Sequence, residues 1–285
     1  MCVSNEPGFL YVVATPIGNL EDFSIRARRI LAEVDLIAAE DTRHSARLLS
    51  HYGILTPVTA FHEHNEHEKA QDLVNQLSHG KQLALISDAG TPLVSDPGYR
   101  LVRAAHIAGI RVIPVPGPCA AVAALSVSGL PSDRFAFEGF PPAKSTARRT
   151  WLEAMVNEPR TLIFYESPHR IVESLADMVS VFGETRDAVY ARELTKQFET
   201  VRPAPLGELA RWVSQDSHQQ LGEIVILVHG ARADEEAARA DAERIVRILL
   251  KSLPVSQAAA VAAELSGRKK NELYELALSL KKSPE

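Results

Sequence analysis

Cysteine is nearly absent from this chain. Its 285 residues include Cys2 and Cys119 and no others, too few for a disulfide framework and without the paired spacing of a zinc site. No metal site is expected, and a reducing cytoplasmic setting suits the composition. Long apolar runs are missing as well. The opening Met-Cys-Val-Ser-Asn-Glu-Pro holds nothing suited to a signal peptide. No later segment approaches the roughly 20 apolar residues of a membrane span, so no membrane association is expected. Cys2 is then expected to be an ordinary exposed thiol rather than a lipid anchor. Solenoid repeats and low-complexity tracts are lacking too.

Basic charge is in deficit overall, with 31 Lys and Arg against 36 Asp and Glu, a net charge of −5. The deficit is uneven. From Arg244 onward there are eight basic and four acidic residues, a local +4, which leaves 23 basic and 32 acidic residues (−9) before it. A basic tail on an acidic body is the asymmetry of a separate polyanion-binding appendage, although a solvated helical face has the same composition.

What is present is a chain with 46% apolar residues, enough for sizeable cores. Short β-rich runs alternate with stretches of helical periodicity, the pattern of a largely parallel sheet covered by helices. Strands are expected at 9–14, 36–39, 58–61, 83–87 and 112–115. Between them Ser24 is positioned as a helix N-cap, and Gly53, Gly80, Gly109 and Gly129 sit where helices close. Gly129-Leu130-Pro131 marks a hinge into a second unit with strands at 135–139, 161–166, 188–193 and 223–228, and helices centred on Trp151, Val172 and Leu209. After Gly230 the character is helical only. Three segments follow: 9–130 and 131–230 as α/β domains and 234–285 as a helical appendage.

Ligands in open α/β sheets settle outside the carboxyl ends of the strands. Three loops at such ends, Thr15–Asn19, Asp88–Gly98 and Pro116–Ala120, are rich in Gly, Pro and small residues. Glycine lets a backbone approach a ligand closely and proline fixes the loop, so the trio suggests a preorganised small-molecule site; tight turns use the same residues. No P-loop signature and no G-x-G-x-x-G after the first strand are found. The loops carry Asp88 and Asp96 but no Lys or Arg, which disfavours a polyphosphate and suits a cationic or neutral ligand.

Six motifs then fall in order along the chain: Leu-Tyr-Val-Val-Ala-Thr-Pro-Ile-Gly-Asn-Leu-Glu-Asp (10–22), Ala-Glu-Asp-Thr-Arg (39–43), Ser-Asp-Ala-Gly-Thr-Pro-Leu-Val-Ser-Asp-Pro-Gly (87–98), Pro-Gly-Pro-Cys-Ala (116–120), Phe-Tyr-Glu-Ser-Pro-His-Arg (164–170) and Ala-Arg-Glu-Leu-Thr-Lys (191–196). With them the chain resembles the ribosomal RNA small subunit methyltransferase I branch of the tetrapyrrole methylase superfamily. The resemblance implies an α/β fold, with two domains of the tetrapyrrole methylase type and a helix-turn-helix-like C-terminal appendage. It also implies S-adenosylmethionine as cofactor, a homodimer, and 16S rRNA or the small ribosomal subunit as partner, methylated on a cytidine 2′-hydroxyl in the decoding region. Tetrapyrrole-modifying relatives carry a G-x-G-P-G-D-type first loop, where this chain has Thr15-Pro16-Ile17-Gly18-Asn19. That departure points away from small tetrapyrroles.

Carried over by position, the resemblance implies cofactor contacts at Pro16, Gly18, Ala89, Gly90, Thr91, Leu93, Val94, Ser95, Cys119 and Ala120. In the second half it adds Glu166, Leu194, Thr195, Gly222, Glu223 and Ile224. Cys119 is not expected to be a nucleophile, since direct transfer needs none. A ribose hydroxyl gains from a nearby proton acceptor, and Asp41, Glu166 and Glu193 are the candidates, each also open to a structural role. Arg43 and Lys196 are candidates for phosphate contact. Lys144, Arg148 and Arg149 form a further basic cluster. In the tail, Arg268, Lys269 and Lys270 open the last helix of a helix–turn–helix, where an anion would offset the unfavourable macrodipole. A ligand-sensing DNA-binding regulator would share the acidic body and basic tail; the motifs favour the enzyme.

Overall fold

The computed structural model describes residues 6–62, 64–231 and 235–282. Cys2, Asp234 and Glu285 lie outside the described residues. Contacts divide the chain into a compact unit running to Gly230 and a second beginning at Ala231.

The first unit holds two five-stranded sheets. Strands β1 (Phe9–Val13), β2 (Leu36–Ala39), β3 (Val58–Ala60), β4 (Leu83–Ile86) and β5 (Arg111–Val115) form the first, in the order β3-β2-β4-β1-β5 and parallel throughout. The crossovers are α1 (Ile25–Glu33), α2 (Thr42–His51), α3 (Glu66–Ser78) and α4 (Tyr99–Ile107). Ser24 caps α1, its hydroxyl accepting from the amide of Ala27 at 3.0 Å, and the helix buries Ala27, Ile30 and Leu31 at i, i+3 and i+4 spacing. β4 is buried at all four positions, as expected of a parallel strand covered on both faces.

The second sheet contains β6 (Phe135–Gly139), β7 (Thr161–Glu166), β8 (Asp187–Arg192), β9 (Thr200–Pro205) and β10 (Ile224–Val228), in the order β6-β7-β10-β8-β9. Here the expectation of a largely parallel sheet is corrected. Only β6 and β7 are parallel; β10 runs antiparallel between β7 and β8, and β8 and β9 are antiparallel. No helix separates β8 from β9, and a connection that short can join only antiparallel neighbours. The periodicity of buried strands carries no such information. β9 was also absent from the expected set: Pro203 and Pro205 argue against a strand, but an edge position leaves their missing N–H groups without consequence. Helices α6 (Ser145–Glu153), α7 (Ile171–Phe182) and α8 (Leu206–Gln215) complete this half.

The two sheets belong to one unit because α5 (Ala120–Ser128) bridges them. It leaves the tip of β5 and buries Ala121, Ala124 and Leu125 in a cluster with Ile163, Val189, Ala191, Val225 and Leu227 of the second sheet. Small alanines let the helix sit close.

The second unit is three helices, α9 (Glu235–Leu250), α10 (Val255–Ser266) and α11 (Lys270–Lys282), around Ala242, Val246, Ala259, Ala262, Leu273 and Ala277. α10 ends at Gly267 in the left-handed conformation, φ 69°. Because the unit begins at Ala231 rather than Arg244, its charge balance is ten basic against nine acidic residues, or +1. The +4 expectation depended on where the chain was cut.

Candidate active site

Residues at the carboxyl ends of β1, β2, β4, β5, β6 and β7 and at the start of β10 converge on a cavity of about 360 Å³ in the first unit, within the range that holds a small organic ligand. Thr15, at the end of β1, pairs with Gly90 through two backbone hydrogen bonds, 2.8 and 3.1 Å long. Thr91 donates its hydroxyl to the carbonyl of Pro118 at 2.9 Å. The three Gly/Pro-rich loops are thus laced together. A fourth tie comes from α3: Glu66, buried, accepts from the amides of Gly98 and Arg100 at 3.1 and 2.9 Å. It stands in for the side-chain cap that Gly98 cannot give α4.

The backbone here is strained. Among the described residues, the non-glycines in the left-handed region are Leu93 (φ 73°), Ser95 (66°), Glu193 (50°) and Thr195 (68°). Each such conformation costs on the order of 1–3 kcal/mol and persists only where surroundings enforce it. All four lie in the 88–98 and 193–199 loops. Gly222 (φ 80°) leaves room for the Glu193 carboxylate, which a Cβ would approach within 2.5 Å.

The cavity wall is acidic. Glu40, Asp88 and Asp96 all line it, and Asp88 holds the 39–43 turn by accepting from the amide of Asp41 at 3.0 Å. Burial, then the neighbouring carboxyls of Asp96 and Asp88, push Glu40 up to about 7. Burial, reinforced by Asp88, also raises Asp96. Sharing a partly dry cavity, these groups resist ionising together. Tyr165 also lines the cavity; its hydroxyl oxygen accepts from the amide of Ala121, in the turn that starts α5, at 3.1 Å, and its ring meets Phe140 at 5.6 Å. Burial raises the Tyr165 phenol. The wall therefore offers carboxyls to a cation and aromatic faces to a flat group.

Of the expected cofactor positions, Ala89, Gly90, Thr91, Val94, Ser95, Cys119, Ala120, Glu166, Gly222, Glu223 and Ile224 line this cavity. Leu93 instead packs its side chain into the core beneath the first sheet, and Leu194 into the cluster around α5. Thr195 is not among the lining residues, and Pro16 and Gly18 face an adjoining cavity. Sequence reasoning missed Glu40, Phe140 and Tyr165. The first and last lie inside recognised motifs, but their burial depends on elements far away in the chain.

The three candidate proton acceptors differ. Asp41 caps α2 and is held down to about 2, chiefly by its hydrogen bonds with Arg43. Although burial acts upward on Glu193, hydrogen bonds from Lys196 and the amide of Glu223 hold it low. Glu166 is among the cavity-lining residues, but its side chain is fully buried. Its Oε1 takes the amide of Ser167 at 2.7 Å and the guanidinium of Arg170 at 2.8 Å, and its Oε2 takes the hydroxyl of Ser174.

Among the basic candidates one expectation is overturned. Arg148 is fully buried, donating from Nε to Asp177 at 2.7 Å and more weakly to the carbonyls of Pro142 and Ala143. It is a core ion pair, because α6 turns that face onto α7. Lys144 and Arg149 are exposed. In the helical unit Arg268 pairs with Glu272, while Lys269 and Lys270 are exposed with no ion pair among the described residues.

Similarity to known proteins is extensive. The family model described as Tetrapyrrole (Corrin/Porphyrin) Methylases matches residues 10–210, and that described as RsmI C-terminal HTH domain matches 236–281. A Pseudomonas aeruginosa protein named "Ribosomal RNA small subunit methyltransferase I" is 61% identical over 95% of this chain and 97% of its own. The chain belongs to that family. A relative of the same name from Escherichia coli O157:H7 is 57% identical over 96% of each chain. Solved structures share the fold at lower identity. The uroporphyrin-III-C-methyltransferase from Thermus thermophilus superposes with a TM-score of 0.54 at 21% identity, covering 78% of this chain and 94% of that one. The methyltransferase CobJ gives 0.59 at 19%, covering 79% and 95%. Both halves of the first unit thus follow the tetrapyrrole methylase fold, and the helical unit is the family's C-terminal domain.

Proposed function

We propose that this member of the family transfers a methyl group from S-adenosylmethionine to a ribose 2′-hydroxyl of a cytidine in the decoding region of 16S rRNA. On this reading 9–130 and 131–230 are two α/β domains enclosing the donor, and 234–285 is an appendage whose Lys269 and Lys270 meet RNA phosphate. The protein works as a cytoplasmic homodimer. The observation that carries the reading is the carboxyl-lined, loop-laced cavity, joined to the names of the close relatives.

The residues present fit the donor. A sulfonium and an ammonium are cations, and Glu40, Asp88 and Asp96 supply the complementary charge. Gly90 and the strained 93–95 turn bring main-chain groups close enough to hold an adenosine. When bound, the donor would supply a methyl carbon to the ribose oxygen with loss of its bond to sulfur, the hydroxyl proton passing to water. The protein's share is chiefly orientation, which can lower such a barrier by roughly 7–11 kcal/mol. Of the candidate acceptors, Asp41 and Glu193 are held in weakly basic states, and the Glu166 carboxylate is fully buried and taken up by Ser167, Arg170 and Ser174, so none of the three is free to take the proton. Single-turnover rates at saturating donor are therefore expected to stay within a few-fold in Asp41→Asn, Glu193→Gln and Glu166→Gln, with donor affinity retained. A fall of about 10²-fold or more in any one of them, with donor affinity retained, would restore a carboxylate base to the mechanism.

Charge also sets a pH dependence. A carboxyl raised to about 7 in the free protein is largely neutral below that pH, and a cation binds its ionised form better. Donor affinity is therefore expected to tighten as pH rises from 6 to 8, with Glu40→Gln flattening the profile; calorimetric titrations across that range check it. The function itself is tested with labelled S-adenosylmethionine, stripped small subunits, tetrapyrroles and duplex DNA. Label is expected in 16S rRNA at a ribose. Label in a tetrapyrrole, or none anywhere with tight DNA binding, overturns the reading.

A further inference from the structure

A second cavity, of about 560 Å³, adjoins the first and shares Ile17, Asp88, Ala89 and Glu223 with it as a common wall. The character changes across that wall. One side of the second cavity is the face of α2 that carries His44, Arg47, Leu48 and His51, at i, i+3, i+4 and i+7 spacing. Arg47 is exposed and, among the described residues, has no carboxylate partner. Facing α2 across the 16–20 loop is Lys196, whose ammonium is held by Glu193 at 2.8 Å and Glu223 at 3.3 Å. Gly18 exists beneath it for a steric reason: a Cβ there would come within 2.4 Å of the Lys196 stem.

One buried group points to a ligand independently of charge. Ser45 is on the same stretch of α2, lines this cavity, is 2% exposed, and its hydroxyl has no hydrogen-bond partner. A helical serine ordinarily returns its hydroxyl to the carbonyl four residues earlier. Here Asp41 O receives only the Ser45 amide. An unmatched buried hydroxyl is unfavourable, a cost that a ligand oxygen placed in the cavity would remove.

We propose that this cavity receives the acceptor nucleotide. It deepens the functional reading above and rests on it. The nucleotide's phosphate lies on Arg47 and the flanking His44 and His51, its sugar near Ser45, and its apolar surface against Ile17, Leu20 and Leu48. The chemistry is that of a single unpaired ribonucleotide drawn out of its strand, the form in which a protein can reach a sugar or base inside folded RNA. The shared wall then places the sugar beside the donor cavity. None of the α2 cavity residues was legible as a site from sequence, where only Arg43, outside this face, stood out.

The test uses the full chain, labelled S-adenosylmethionine and stripped small subunits. In Arg47→Ala the KM for small subunits is expected to rise tenfold or more, with donor affinity and melting temperature unchanged. The slope of log KM against log salt should shrink by about 0.7, the value for one phosphate contact to a single strand. Arg47→Lys should restore most of both. Ultraviolet crosslinking of the wild-type complex should mark the peptide spanning 42–51. Unchanged KM and salt slope in Arg47→Ala, or crosslinks confined to other peptides, overturn the inference while leaving an active enzyme. A wild-type protein that labels no RNA fails the functional reading instead.

Discussion

Replacing Asp177 with alanine is expected to destabilise the protein by about 3–5 kcal/mol, the range for breaking a buried ion pair from one side. Arg148 would remain fully buried on α6 with its charge uncompensated. Its other carboxylate neighbour, Glu173, is 3.7 Å away and 73% exposed, so water screens it. Ser145, which donates to the other oxygen of Asp177 at 3.0 Å, would lose its partner too. A thermal melt should shift down by roughly 6–20 °C. The companion double variant, Arg148→Met with Asp177→Leu, should recover most of the loss, because a packed apolar pair removes both charges at once. A loss below 1 kcal/mol in Asp177→Ala would mean that α6 and α7 do not seal this pair from solvent.

Gly90→Ala is expected to weaken donor binding about 10–100-fold, the equivalent of about 1–3 kcal/mol. Gly90 has φ 85°, and both its amide and its carbonyl are committed to Thr15, so the chain cannot relax without breaking the bridge that joins two of the site loops. An added Cβ would also press on Ile17 Cγ2 at 3.3 Å. Gly109 provides the control. It has φ 71° with nothing within 4 Å of a Cβ, so Gly109→Ala should cost stability through strain alone and leave affinity unchanged. Calorimetric titration of both variants with S-adenosylmethionine distinguishes them. Comparable affinity losses would show that the effect is global rather than local to the cavity.

Helix ends were legible in the chain because they are local events. Ser24 caps α1 through an amide three residues away, and Gly53, Gly80, Gly109 and Gly129 take positive φ where helices close. The three Gly/Pro-rich loops were visible for the same reason: unusual backbone demands unusual residues, and those are written in order. Strand direction was not. Whether β10 inserts antiparallel between β7 and β8 is settled by packing, and an apolar run reads alike in either sense.

By itself the sequence determined the alternation of strands and helices, the Gly/Pro-rich loops that line the cavity and, through six ordered motifs, the family. Tertiary structure alone decided the charge states and the partners. It buried Arg148, which composition had placed on the surface, and it moved Glu40 to about 7 by setting it beside Asp96 and Asp88 in a partly dry cavity. The reason is physical: backbone conformation depends on near neighbours, whereas the free energy of a charge depends on how much water and which charges the folded chain leaves around it.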